Sequence, residues 1–306
     1  MNRELKLELE RCVPVAALES FLEAHTAGEK IKHKNKAETI SKISEIVLGR
    51  AHLQEKLELL LGQYHSAGRG ALKWGAFDQE LSSQTLETLL VQNYGEQLFQ
   101  DGIRPEVKQK PSLHKARWVD AENQILRLDF VESGKRRLEY QNYELQESTP
   151  MKMIHSLVRF TQDKAIVEIR ASQNYTLKYQ NEIGDILGGK VKDISFTIDE
   201  INEIEQRLAT SRRSAKHKKL GGDIDTVSVI ASPKIEDLKA SKEYNRMLGK
   251  DDIKDARCNF SYKQKDGRLI KVSMGISNKG SIWFMSDIPE EVIEHVFSVV
   301  KLVKGL

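Results

Sequence analysis

Three polar residues on neighbouring predicted strands could do chemistry on a phosphodiester. Asp129 lies in the segment Leu126–Phe130, and Glu139 and Gln141 follow it after a turn. Metal-dependent nucleases of the restriction-enzyme type use two carboxylates to hold a divalent cation beside the scissile phosphate, and a third residue orients the attacking water. The spacing is compatible with such a nuclease, centred on Asp129 and Glu139.

The same pattern is also compatible with a purely structural role. In an antiparallel strand pair, Asp129 and Glu139 can face solvent with Arg127 and Arg137 as cross-strand charge partners. Both interpretations remain open at the level of sequence.

Other signatures of catalysis are absent from the sequence. It contains no phosphate-binding G-x-x-x-x-G-K-[ST] loop, no H-E-x-x-H and no G-x-S-x-G. The two cysteines, Cys12 and Cys258, form no C-x-x-C pair, which excludes a zinc ribbon and makes a disulfide scaffold improbable. We therefore expect no metal and no cofactor. A non-enzymatic protein is favoured, either a nucleic-acid-binding protein or a scaffold.

Two short clusters of basic residues favour a polyanionic partner, DNA or RNA. Each Lys or Arg that neutralises a phosphate releases counterions, so dense clusters give affinity that is independent of sequence and sensitive to salt. The first cluster contains Lys30, Lys32, Lys34 and Lys36, which Arg69 and Lys73 could join if the helices fold back, and the second contains Arg212, Arg213, Lys216, Lys218 and Lys219.

Two alternatives stand beside nucleic-acid binding. A basic run between elements can be a solvated loop, and Ser211–Lys219, which has no apolar period, can be a flexible connector. The leucine stripe of residues 53–61 could bind another protein or a second copy of the chain. The chain would then be an interaction subunit of a larger complex.

The elements that must position these residues change in character near residue 101. Apolar residues recur every three or four positions in residues 15–22, 40–47, 53–61 and 83–99, which predicts a small bundle of helices and one further helix. After residue 101 the pattern alternates and predicts strands. We expect a helical domain over 1–100, an α+β unit over 101–210 and a second α+β unit over 221–306.

The two later units are predicted to be mainly antiparallel, with helices packed on one face. Residues 116–119, 124–132 and 136–145 read as a three-stranded meander, and residues 153–161 and 165–171 as a hairpin. Ser232-Pro233 is predicted to begin a helix that continues to Leu248, and a last hairpin spans 256–275. The fold class is therefore α+β.

Bulk composition limits the class of protein. The formal net charge is +3 for 306 residues, so the basic character is local rather than general. No apolar run approaches the roughly 20 residues needed to span a bilayer, and residues 1–10 lack the apolar segment of a signal peptide. We expect a cytoplasmic, reduced protein of several domains without a membrane role, in which self-association is compatible with the sequence.

If the first basic cluster binds nucleic acid, charge reversal of Lys32, Lys34 and Lys36 should abolish binding without unfolding the chain. The three substitutions would replace attraction for phosphates by repulsion. A binding titration with labelled duplex DNA and single-stranded RNA measures the effect, and unchanged affinity of the triple variant would contradict this role for the cluster.

Overall fold

A computed structural model describes residues 3–26, 35–65, 71–120, 124–134, 136–141, 144–161, 164–171, 173–219, 225–248, 251–265 and 267–306. The predicted α+β class is confirmed. The α-helices are α1 Arg3–Cys12, α2 Val15–His25, α3 Lys36–Val47, α4 Ala51–His65, α5 Ser83–Tyr94, α6 Gln173–Leu187, α7 Ile198–Arg207, α8 Lys242–Leu248 and α9 Glu290–Lys304. The strands are β1 Ala71–Phe77, β2 Ser112–Asp120, β3 Ile125–Ser133, β4 Arg137–Gln141, β5 Glu144–Ser148, β6 Met151–Phe160, β7 Ala165–Ile169, β8 Val191–Asp193, β9 Ser211–Lys218, β10 Thr226–Ile230, β11 Asp252–Lys263, β12 Leu269–Ser277 and β13 Ser281–Phe284.

The first four helices pack together around one apolar core. The predicted stripes form the buried sides of α2, α3 and α4. The N-cap of α3 is Asn35, whose side chain accepts a hydrogen bond from Glu38 N at 2.9 Å. Helix α1 was not predicted, because its leucines are interspersed with charges, yet Leu5 and Leu9 are buried. None of the helices in the described ranges is long and apolar enough to cross a membrane.

One antiparallel sheet runs through most of the remaining chain. Its strand order is β10-β9-β11-β12-β13-β1-β7-β6-β3-β2, and β8 pairs with β1 beside β13. Strand β1 is therefore the centre, with β7 on one side and β13 on the other. The sheet joins strands from both predicted α+β units and from the segment predicted as helical, while the boundaries themselves remain predictions.

The two halves of the sheet are covered by helices on opposite faces. Strands β2, β3, β6 and β7 pack against α5 and α6, whereas β11, β12 and β13 pack against α7 and α9. Trp74 of β1 packs in the apolar core formed by β11, β12, β13, α7 and α9, whereas the side chain of its neighbour Lys73 lies on the opposite face of the sheet. Each half thus packs its main apolar core against helices on one face, as predicted.

A buried charge network holds the halves together. The Glu168 carboxylate, which is fully buried on β7, accepts hydrogen bonds from Trp74 Nε1 at 3.0 Å, Arg159 Nε at 3.1 Å and Arg170 Nε at 2.7 Å. Both guanidinium groups reach on to α9, where Arg159 binds Glu294 and Arg170 binds Glu290. Burial alone would raise the pKa of Glu168, but the two guanidinium charges outweigh it and hold the pKa well below the usual carboxyl range.

The predicted meander is wrong in its third strand. Strand β3 pairs with β2 and with β6, and β4 and β5 form a separate two-stranded sheet. Ile154 and Val158 of β6 continue the apolar surface of β3, whereas Leu138 of β4 is largely exposed. Strand β6, which is the more apolar of the two, therefore pairs with β3 in place of β4. The predicted hairpins of β6 with β7 and of β11 with β12 are confirmed.

The flexible connector proposed for Ser211–Lys219 is wrong, because residues 211–218 form β9 between β10 and β11. The strand has no apolar period in the sequence, because some of its buried positions hold polar residues that form hydrogen bonds inside the protein. His217 is buried and its Nε2 lies 2.8 Å from the Tyr244 hydroxyl, while Ala215 belongs to a small core with α8.

The predicted helix over 232–248 is also wrong in its first half. A short 3-10 turn covers Leu238–Ala240, and α8 begins only at Lys242. The Arg213 guanidinium donates to the carbonyls of Ile235 and Glu236, which a helix would need for its own hydrogen bonds. Contacts with β9 thus override the local capping signal.

Replacing Glu168 by Gln should lower the free energy of unfolding by roughly 3–5 kcal/mol, because two buried guanidinium groups would lose their shared counter-charge. Urea denaturation measures the change. Glu203→Gln is the matched control, since Glu203 pairs with Arg207 on the surface of α7 and should contribute under about 1 kcal/mol. A change in Glu168→Gln as small as that of the control would contradict a central role for the network.

Candidate nucleic-acid interface

The face of the half-sheet β11-β12-β13 that points away from α7 and α9 (the open face) carries basic residues in regular alternation. On β11, Ala256 and Cys258 point into the core and Arg257, between them, points out and is exposed. On β9, Lys216 and Lys218 are exposed in the same way on either side of the buried His217. Strand pairing places these two rows next to each other, because Lys216 lies opposite Asp255 and Ser214 opposite Arg257.

This face forms a groove of about 1190 Å³. Five cationic side chains line it, and among the described residues that line it Asp255 is the one carboxylate. The cations are Lys73, Lys218, Lys254, Arg257 and Lys279. They come from β1, β9, β11 and the turn between β12 and β13, so the groove exists only in the folded sheet.

Four of the five cations that line the groove form no salt bridge with another described residue. Among residues in the described ranges, no salt bridge involves Lys216, Lys218, Arg257 or Lys279. Lys73 pairs with Asp193, and Lys254 Nζ donates to Thr226 Oγ1 at 2.8 Å. The floor of the groove therefore presents net positive charge to an anionic ligand.

The turn that carries Lys279 is held firmly. Asn278 N donates to Lys254 O at 3.0 Å, and Phe196 N donates to Asn278 O at 2.9 Å. Gly280 has φ +80°, and a Cβ there would lie 1.7 Å from the Ile194 carbonyl oxygen. Only glycine fits both the backbone conformation and this close approach, so the position of Lys279 over the groove is fixed by packing.

One aromatic side chain belongs to the groove. Trp283 of β13 pairs with Gly275 of β12, and its indole occupies the space that a Cβ of Gly275 would need, with ring carbons 2.0 Å from that position. The indole remains partly exposed. The same row across the sheet contains Arg257 beside Gly275 and Ala71 beside Trp283.

The sequence-predicted basic residues divide into two groups. Lys73, Lys216 and Lys218 lie on the open face. Arg212 does not, because it is buried and its guanidinium binds the Glu205 carboxylate at 3.0 and 2.7 Å. Arg213 is committed to backbone carbonyls, and Lys219 Nζ lies 4.0 Å from an Asp251 carboxylate oxygen.

The first cluster lies mostly outside the described residues. Lys30, Lys32, Lys34 and Arg69 belong to the undescribed segments, and Lys36 is the half-buried first residue of α3. The role predicted for Lys30, Lys32, Lys34 and Lys36 stays a prediction, as does their combination with Arg69 and Lys73.

Sequence reasoning missed Lys254, Arg257, Lys279 and Trp283. The signal available for Arg257 was its alternation with Ala256 and Cys258, which predicts an outward side chain but not what lies beside it. Lys254 lies at a β-bulge between Ile253 and Asp255, and the bulge turns its side chain toward the groove. No pattern in the sequence predicts this bulge.

The carboxylates proposed for a nuclease are not on paired strands. Glu139 and Gln141 lie on β4, which pairs with β5, whereas Asp129 on β3 pairs with His155 and Lys115. The Asp129 Oδ1 atom accepts hydrogen bonds from Arg127 Nε and from His155 Nδ1, both at 2.6 Å. No group of three metal-ligating residues occurs in the described part of the chain. The strand pairing that motivated the nuclease hypothesis is therefore wrong.

Comparison with protein-family models and with curated proteins finds no match to this chain.

The Asp129 cluster predicts acid sensitivity. Burial would raise the pKa of Asp129, but hydrogen bonds from His155 and Arg127 and the charge of Arg127 lower it to about 2. Because this folded-state pKa lies below the unfolded value of about 3.9, the carboxylate stabilises the fold above pH 4, and this contribution is lost as pH falls toward 2. Asp129→Asn should be less stable than the parent by up to about 2 kcal/mol at pH 7.

Urea denaturation of both proteins at pH 7, 5 and 3 tests this expectation, and the difference in unfolding free energy should shrink as the pH falls. A difference that stays constant over this range would show that the charge of Asp129 does not stabilise the fold.

Proposed function

We propose that this chain binds nucleic acid without catalysis, through the open face of β9, β11, β12 and β13. The observation that carries the proposal is the imbalance of charge in the groove, where the described lining residues include five cations and one carboxylate, and four of the five cations form no salt bridge with another described residue. An unpaired cation costs little when it stays hydrated, and it gains affinity when a phosphate displaces water and counterions.

The rigidity of the face supports the proposal. Lys218 and Arg257 stand on strands that are paired on both sides, and Lys279 stands on a turn fixed by Gly280. Cations on rigid elements lose less side-chain and backbone freedom on binding than cations on loops do. Since phosphate contacts carry no sequence information, we expect affinity that depends weakly on base sequence.

A role in protein interaction is the second candidate, and exposed apolar side chains on β4, β5 and β6 favour it. Leu138, Leu145, Met151 and Met153 are between 53 and 70% exposed. A two-stranded sheet such as β4-β5 is marginally stable by itself and gains from being covered. This candidate predicts a partner of defined stoichiometry and no binding of nucleic acid at physiological salt.

The triple variant Lys218→Glu, Arg257→Glu, Lys279→Glu tests the proposed face. We expect at least a roughly tenfold loss of affinity for nucleic acid, and a reduction of about 2 in the slope of log affinity against log salt, because about three phosphate contacts would be lost. Fluorescence anisotropy of labelled oligonucleotides at 50 and 200 mM salt measures both quantities, with the parent and the variant titrated over the same range of protein concentrations.

The matched control is Lys234→Glu, Lys242→Glu, Arg246→Glu, which makes the same change in net charge. These side chains are exposed and belong to the segment that covers the opposite side of β9, since Arg213 contacts that segment from the buried face. Equal losses in both variants would indicate a general charge effect and would remove the support for this face.

A further inference from the structure

We infer that the open face takes single-stranded nucleic acid, with a base stacked on Trp283. The inference rests on the proposed function and adds the class of ligand. It is carried by the position of an aromatic ring in the floor of the basic groove, an arrangement that phosphate binding alone does not require.

The indole of Trp283 packs directly against Gly275. Gly275 leaves room for the indole directly over its backbone, and any larger residue there would displace the ring. The indole is thereby held near the sheet, yet it keeps part of its surface in the groove. The other described residues that line the groove are Lys, Arg, Asp, Ser, Asn, Thr and Ala, so the indole is its one large apolar surface. A ligand that covers the indole would remove this surface from water, which favours binding.

Cations flank the ring on both sides along the direction that crosses the strands. Ala71 and Lys73 of the neighbouring strand β1 lie on one side, and Arg257 lies two strands away on the other, at about 10 Å from the strand spacing. A single strand crossing the groove could place a base on the indole and phosphates that are not adjacent to each other on the cations at either side.

Duplex DNA or RNA cannot use this arrangement. In a duplex the faces of the bases are stacked on one another and closed to a protein side chain, whereas a single strand presents every base face. An antiparallel sheet bearing an aromatic ring and basic residues is a surface of the kind on which single-stranded bases stack.

Trp283→Leu should lower affinity for a 20-nucleotide oligo-dT or oligo-U by roughly five- to 150-fold, which is the loss of one base–aromatic stack. Affinity for a 20-base-pair duplex of mixed sequence should be weaker in the parent and unchanged in the variant. Trp283→Phe should restore most of the affinity for the single strands, because the smaller ring still stacks.

A second measurement follows the ring itself. In a Trp118→Phe background the remaining indoles are Trp283 and Trp74, and Trp74 is fully buried. Quenching of the intrinsic fluorescence by oligo-dT or oligo-U would then report a base on Trp283, and Trp283→Phe in this background should remove the quenching. Circular dichroism and thermal melting check that each variant is folded.

The outcomes separate the two proposals. Salt-dependent binding of duplex and single strands that Trp283→Leu leaves unchanged, without quenching, would overturn the single-strand inference and leave the proposed function standing. No binding of any oligonucleotide at 50 mM salt would overturn both. Loss of single-strand affinity in Trp283→Leu, recovered in Trp283→Phe, with quenching in the parent background, would establish stacking at this site.

Discussion

A carboxylate with no access to water governs the architecture, because Glu168 lies where the two halves of the sheet meet. It binds Trp74 of the central strand and two arginines, and those arginines bind two glutamates of α9. An unpaired charge at this depth would be far too costly, so the strands and the helix must assemble together. The network therefore specifies how β1, β6, β7 and α9 are arranged, beyond what apolar packing alone would require.

The open basic face follows from this arrangement. Because α9 is tied to one face of β7 and β1, it covers β11, β12 and β13 on that same side. Helix α6 covers the other side, but only over β7 and its neighbours, and it reaches the groove at Thr176. The uncovered part of the sheet must then be polar to remain in solvent, and here the polar residues are mostly cations.

Local features were predictable and non-local ones were not. The helical stripes of α2, α3, α4 and α5 and the hairpins β6-β7 and β11-β12 were predicted correctly, because they depend on residues close in sequence. Strand β9 was missed, since its buried Arg212 and His217 find partners only in the folded protein. The candidate interface was found in part through Lys73, Lys216 and Lys218. Arg257 and Trp283 could not be placed beside them, because the register across four strands has no signature in any one segment.

The central position of β1 has a consequence for biosynthesis. This strand leaves the ribosome long before its partners, since Glu168 follows Trp74 by 94 residues and β13 comes later still. Until then its apolar residues have no sheet to join, and closing such long-range pairs is slow because the loop entropy must be overcome first. Folding of the body is thus postponed until nearly the whole chain has been made, while the N-terminal bundle, built from local contacts, can form early.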